Sequence, residues 1–314
     1  MEFFKKTGRN AGRLAIALAG DGVYAAAMQR LPDARPLLLF AVFFPSSKAS
    51  QAETLERLNR ELKAGSYSCT NLLDGGDYQM LTLDAPNVPR EELKTAVHWR
   101  LKDMLDFHID DATIDVLDIP ADKSAQVRTH TMFAVAARSS LIEQRQRVFA
   151  GAKIGLSVID IPEMAQRNFS AMLEPEARGL AMLSFNDDGG LLTVTFNAEL
   201  YLARRIDVTL DQLRDSDPQK RQICHEKITL ELQRSLDHFE RQFQYVAVAK
   251  LVLAPVAASG LQEYLASNLY MPVEALDLAQ VVDLSKAPEL LDLVQQQRFF
   301  LVLGAALRQE EVAL

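Results

Sequence analysis

The sequence predicts an α/β protein of two similarly built lobes with a compact α+β segment between them. Two observations carry this reading. Three short apolar runs joined by tight turns precede a helix near the start, and the same strand, turn, strand, turn, strand, helix order returns after residue 180. Between the two halves, strand and helix signals alternate at shorter spacing. With 314 residues, 48% hydrophobic and 24% charged, the chain can fill two cores of ordinary size.

Residues 13–19 read as a strand, Gly20-Asp21-Gly22 as a turn and 23–29 as the returning strand. Pro32 and Pro36 punctuate the link to a third strand over 36–44, whose nearly continuous apolar run predicts burial on both faces. Leu55, Leu58 and Leu62 form the stripe of a helix over 51–64. A strand over 78–83 follows, then a helix entered at Pro89 and running over 92–105. Strands over 113–117 and 131–137 flank the polar loop 121–128. A helix over 141–150 starts behind Ser139 or Ser140, and a short strand over 157–161 closes the section.

In the second half, strands over 180–185 and 191–196 enclose the turn 186–190, and Asn197-Ala198-Glu199 turns into a strand over 200–206. A long helix over 223–246 carries Ile228, Leu232, Ser235, Phe239 and Phe243 on one face. A buried strand over 250–254, a helix over 260–269, a strand over 273–276 and a helix over 298–308 complete the chain. The expected units are 1–77 for the first part of lobe I, 78–161 for the insert and 162–314 for lobe II, with the last helix returning to lobe I.

Composition removes several function classes. A net charge of −8 and a pI near 5.3 repel phosphate backbones, so nucleic acid is not an expected partner. Cys69 and Cys224 lack a CxxC spacing and suit a reducing compartment. The apolar run 37–44 is too short to span a bilayer. The opening Met1-Glu2-Phe3-Phe4-Lys5-Lys6 lacks the apolar centre of a secretory signal. With Arg9 and Arg13 it makes a small basic patch, read as a solvated end or as a contact for an anionic leaflet. His98, His108, His130, His225 and His238 show no i, i+4 metal pair, and no GxSxG elbow or Walker loop occurs.

One stretch has a more specific pattern. Leu93-Lys94-Thr95-Ala96-Val97-His98-Trp99-Arg100 is followed by Leu105-Asp106-Phe107-His108-Ile109-Asp110-Asp111, a helix with a tryptophan and then a turn of the form PF-I-E/D. Downstream stand Phe133-Ala134-Val135-Ala136-Ala137-Arg138, Val158-Ile159-Asp160-Ile161, Leu230-Glu231-Leu232-Gln233-Arg234-Ser235-Leu236-Asp237, Gly260-Leu261 with Tyr264-Leu265, and Gly304-Ala305-Ala306-Leu307-Arg308. In this order and spacing the chain resembles the PilM-like proteins of type IV pilus assembly over nearly its whole length. It is most similar to the MshI branch that serves the MSHA pilus. The cytoplasmic part of the type II secretion protein GspL is more distantly similar.

The resemblance implies an actin-like ATPase fold, with two RNase-H-like lobes about a nucleotide cleft and an extra subdomain placed as in the division protein FtsA. In such a cleft two turns offer backbone N–H groups to phosphates, and an aspartate beside each organises magnesium. The family pattern D-I-G-x-x-x-x-K falls on Ala17-Leu18-Ala19-Gly20-Asp21-Gly22-Val23-Tyr24, and the second D-I-G on Ser184-Phe185-Asn186. The glycine-rich adenosine stretch is reduced to Pro255-Val256-Ala257-Ala258-Ser259-Gly260-Leu261. Both aligned carboxylates are missing. No cofactor and no ATP hydrolysis are therefore expected. The alternative is an ATP- and magnesium-dependent switch in which Asp21, Asp187 or Asp188, beside Gly189, substitutes at a shifted alignment; otherwise these are ordinary turn residues.

The resemblance further implies a cytoplasmic scaffold peripheral to the inner membrane. Its expected partner is the cytoplasmic tail of a PilN-like inner-membrane protein, held in a groove between the extra subdomain and lobe I. The assembly ATPase is a direct or indirect partner, self-association into a homo-oligomer is a further option, and membrane contact comes only through partners. Trp99, Leu93 and Phe133 are the candidate partner-binding residues. Trp99 is the single tryptophan, read first as a core anchor sharing a stripe with Leu93, Ala96 and Met104, and second as the edge of a partner groove.

Overall fold

The computed structural model describes residues 12–32, 34–86, 88–89, 92–121 and 131–309. The basic residues before Gly12, most of the loop 121–128 and His130 lie outside them. In chain order the elements of the first half are β1 (Arg13–Leu18), β2 (Gly22–Gln29), β3 (Leu37–Pro45), α1 (Gln51–Leu62), β4 (Ser68–Leu72), β5 (Tyr78–Asp84), α2 (Leu93–Leu101), β6 (Ala112–Asp118), β7 (Thr131–Arg138), α3 (Ser139–Gly151), β8 (Leu156–Asp160) and α4 (Pro162–Leu173). The second half holds β9 (Gly179–Asn186), β10 (Gly189–Phe196), β11 (Glu199–Ile206), α5 (Leu210–Leu213), α6 (Pro218–Gln242), β12 (Val248–Leu253), α7 (Leu261–Asn268), β13 (Val273–Ala275), α8 (Leu278–Val281) and α9 (Leu293–Ala306).

The duplication anticipated from the sequence is present in the sheets. The first runs β3-β2-β1-β4-β8 and the second β11-β10-β9-β12-β13. In each, an antiparallel three-strand meander is extended by two parallel strands. A third sheet, β5-β7-β6, stands between them in sequence.

Several expectations change. β4 and α4 were not anticipated, and both are central. β3 is an edge strand and only Leu38 and Ala41 are fully buried in it, because pairing on one side leaves its outer edge and one face near solvent. β8 pairs with β4 in the first sheet, and Phe149, Ala152 and Ile154 around the end of α3 pack into the same core as α1. By sheet membership the inserted unit is therefore β5 to β7 with α2, and α3 and β8 belong with the first sheet. Ser139 does not cap α3 but lies in its first turn, bonded to Thr113 Oγ1 at 2.9 Å. The long helix begins at Pro218 behind an Asp217 cap, and the last begins at Leu293 behind an Asp292 cap, each carboxylate accepting from a first-turn N–H.

Alternation of side-chain size in β1 sets the layers. Leu14, Ile16 and Leu18 point to α1 and α3, whereas Ala15 and Ala17 point to the opposite face, where small side chains admit α9. There α9 packs on β1 and β2, and α4 packs on α9 and reaches Leu180 and Met182 of the second sheet. The α4/α9 pair, with Phe169 stacked on Phe300 at 4.9 Å, thus joins the two sheets.

Candidate functional site

The cleft is assembled from three loops, each tied by side chains of the helix pair or its neighbours. At the β1–β2 turn, Asp21 Oδ2 accepts from the Tyr24 hydroxyl at 2.8 Å, and Arg298 of α9 donates to Tyr24 Oη at 2.9 Å. Arg298 also lies 3.7 Å from Asp21 and 4.7 Å above the Phe43 ring. Tyr24 packs between Phe43 and Phe299, and burial raises its phenol pKa. Position 24, where the resemblance leads one to expect a lysine, is thus a fixed tyrosine. Gly20 and Gly22 flank Asp21, and Ala17 packs against the α9 core.

At the β9–β10 turn, buried Ser184 donates to Gln166 Oε1 at 2.6 Å, and Gln166 Nε2 donates to Met182 O and Thr193 Oγ1. Asn186 Oδ1 accepts from the N–H groups of Asp188 at 3.0 Å and Gly189 at 3.1 Å. Two N–H groups of this turn are thus taken up by the asparagine side chain. Asp187 and Asp188 are exposed, and Asp188 borders the small space at this turn. The space bordered by Pro162, Ser184, Asn186, Arg205 and Leu301 measures about 20 Å³, room for roughly one water.

The third loop precedes α7. Gln297 Oε1 of α9 accepts from Ala257 N at 3.0 Å and from Arg214 at 2.7 Å, while Arg214 Nε donates to Ala257 O at 3.2 Å. Gly260, at φ +80°, turns the chain into α7 through a left-handed conformation that glycine adopts without strain. A shallow depression of about 450 Å³ with Arg221, Val256 and Leu293 lies alongside. Sequence reasoning had singled out the loop residues but not Gln166, Gln297 and Arg298, the side chains that tie them. Among the described residues no group of three or more His, Cys, Asp or Glu side chains is placed to hold a metal.

Behind β4 the chain forms the turn Asp74-Gly75-Gly76-Asp77, with Asp77 ion-paired to Arg145 at 2.9 Å. Burial, then the charges of Asp77 and Asp188, push the Asp74 carboxyl up to about 6. That lies above the roughly 4 of an unfolded carboxyl. Asp74 therefore contributes stability that is complete below about pH 4 and is lost as pH rises through 6. The Asp74→Asn variant is expected to gain on the order of 1–2 kcal/mol at pH 7, after allowing for solvent screening, and to flatten the stability profile between pH 4 and 7. Urea unfolding at both pH values checks this. A variant less stable than the parent at pH 7 would show that Arg145 and Lys48 hold the carboxylate charged.

The three candidate partner residues occupy three environments. Trp99 is 69% exposed on α2, so the core-anchor reading is corrected: Val97 and Leu101 carry that helix's core. Leu93 is half-buried beside them. Phe133 is 3% exposed and packs with Tyr78 and Ile119 on the other face of the sheet, which removes it from any free surface. Its strand, β7, is the middle strand, so an added strand has only β5 or β6 to pair with. An open depression of about 500 Å³ runs along one face of α3, lined by Ser140, Leu141, Gln144, Arg147 and Val148. α3 itself packs on α1 of lobe I and on β6 and β7 of the insert.

Two equivalent sheets about a helix pair, with an inserted α+β unit, define an actin-like ATPase fold. Among solved structures the chain is similar to the PilM-PilN type IV pilus biogenesis complex, with 17% identity and a TM-score of 0.72 over 96% of this chain and 98% of that one. It is also similar to a protein with actin-like ATPase fold and unknown function from Bacteroides thetaiotaomicron, with 11% identity and a TM-score of 0.51 over 92% and 99% of the two chains. No family model and no curated protein matches the sequence. No helix among the described residues is long and apolar enough to cross a membrane.

Proposed function

We propose that this chain is a non-catalytic scaffold of a type IV pilus assembly machine of the MSHA type, working at the cytoplasmic face of the inner membrane. It binds the cytoplasmic tail of a PilN-like inner-membrane protein and links it, directly or through other components, to the assembly ATPase. The observation that carries this reading is the nearly full-length likeness to the PilM-PilN complex. The non-catalytic part is supported by the side-chain bonds that Arg298, Gln166, Asn186 and Gln297 make to the three cleft loops.

The tail is assigned to the α3 depression, where Leu141 and Val148 offer an apolar floor and Gln144 and Arg147 a polar rim. A few apolar anchors must supply most of the affinity, since a tail loses entropy on docking.

Two measurements test the reading together. Thermal unfolding with and without MgATP is expected to coincide, because a ligand that binds only the native state at a hundredfold its Kd would add about 2.7 kcal/mol. Pull-down with the tails of neighbouring inner-membrane pilus proteins is expected to capture one of them, and Leu141→Asp is expected to abolish that capture with the fold intact. A nucleotide-induced rise in melting temperature, or ATP turnover lost in Asp21→Ala or Asp187→Ala, would restore the switch reading.

A further inference from the structure

We propose that the outward face of α2, centred on Trp99, is a docking surface for the basic, aromatic segment 1–11 of a second copy of this chain. The fold does not need Trp99 there. Val97 and Leu101 fill the core beneath α2, while Trp99 at 69% and Met104 at 47% exposure face solvent, and the ring contact of Trp99 with His98 is edge-on at 5.9 Å. Exposed apolar residues are ordinary one at a time, but a tryptophan is the side chain most enriched at interface centres.

The surroundings specify the charge of the occupant. From Glu92 to Asp118 the chain carries seven carboxylates against three cations, Lys94, Arg100 and Lys102. Two of those cations are held within the unit, Lys94 by Asp115 at 2.8 Å and Arg100 by the Asp84 carbonyl at 2.6 Å. Asp103, Asp106, Asp110 and Asp111 are all exposed. An exposed aromatic on a unit whose carboxylates outnumber its cations, even with Arg138 3.9 Å from Asp106, suits a cationic segment with aromatic anchors and repels an anionic lipid surface.

Segment 1–11 has that chemistry. Phe3 and Phe4 adjoin Lys5 and Lys6, and Arg9 follows, against the single acid Glu2 in a chain whose net charge is −8. The contact is assigned to a neighbouring copy. The segment joins the first sheet at Arg13, which pairs with Ser68 at the start of β4, whereas the insert departs beyond Leu72 at the other end of β4. The attachment points of the segment and of the insert thus lie at opposite ends of β4. A contact of one surface with the other on a neighbour is heterologous and builds rings or open chains. This inference uses neither the cleft nor the α3 depression, so it stands or fails apart from the proposed function.

Trp99 is the only tryptophan, so its fluorescence reports the interface directly. As the full-length chain is concentrated at low salt, Trp99 emission is expected to shift to the blue in step with a rise in mass by light scattering. Both changes are expected to need at least tenfold more protein in a Lys5→Glu/Lys6→Glu variant, and in the parent at high salt. A synthetic peptide of residues 1–12 is expected to reproduce the emission shift and to reverse the rise in mass. A chain that stays monomeric, or one that gains mass with unchanged emission, would overturn the proposal. So would an undiminished shift in the charge-reversed variant, or an emission shift produced only by phosphatidylglycerol vesicles.

Discussion

Replacing Arg205 with alanine is expected to lower the unfolding free energy by about 3 kcal/mol, near the lower end of the cost of orphaning a buried charge. The charge in question is Glu163 on the first turn of α4, whose side chain is 2% exposed. Its carboxylate accepts from the Tyr78 hydroxyl and, at 3.1 Å, from Arg205 of β11; Arg205 also donates to Tyr78 Oη at 2.6 Å. Burial, then the Glu163 carboxylate, hold the Tyr78 phenol well above its usual range, so it stays a donor. The guanidinium rests over Gly75, where an added Cβ would stand 1.9 Å from Nη1. Insert, helix pair and second sheet therefore meet in one polar triad. Arg205 itself is 45% exposed, and water reaching the vacated site softens the loss. The Arg205→Ala/Glu163→Gln double variant is expected to recover more than half of it, because a neutral amide needs no counter-charge. Urea midpoints at unchanged m-value measure both. A cost below about 1 kcal/mol for Arg205→Ala would mean that the carboxylate is solvated and the triad holds little.

What the sequence made legible, and what it did not, follows from where each residue's partners lie. The opening strands could be read because apolar runs flank the Gly20-Asp21-Gly22 turn, a pattern that is local in sequence. β4 could not. Its Thr70 and Asn71 are fully buried polar residues, and Asn71 Nδ2 donates to the carbonyl of Ile16 across the sheet at 3.0 Å. α4 was hidden for the same reason. Glu163, Gln166, Arg167, Asn168 and Ser170 are buried around it, which erases the apolar stripe. The partners that make this burial tolerable, Arg205, Met182 O and Gly304 O, are remote in sequence.

The cleft divides similarly. Ala17 and Ser184, where the resemblance leads one to expect carboxylates, are visible in sequence, whereas the Tyr24–Arg298 bond joins residues 274 positions apart. Trp99 was a misreading of a legible signal. At 100° per residue, Leu93, Val97 and Leu101 share a face and Trp99 falls 200° from Val97.

Gly304→Ala is expected to destabilise the protein by about 2–4 kcal/mol, although the same exchange in an exposed helix would stabilise by about 1 kcal/mol. The Cβ added to α9 would stand 2.3 Å from Ala165 O and 2.8 Å from Ala165 C, both backbone atoms of α4. No side chain can turn away to relieve such an overlap, so one helix must move. α9 is held against Ala15 and Ala26 of the first sheet. α4 is held against the second by the Gln166 bonds to Met182 O and Leu191 O. Separating the helices would also stretch the 2.9 Å bond from Asn168 Nδ2 to Gly304 O and open the Phe169–Phe300 stack. The lobes are joined through this crossing, so the variant is expected to unfold at lower urea. Gly151→Ala, at the end of α3 with open space around it, serves as the control and is expected to be near neutral. Should Gly304→Ala unfold together with the parent, the two helices separate without cost, and their crossing is not what sets the stability of the fold.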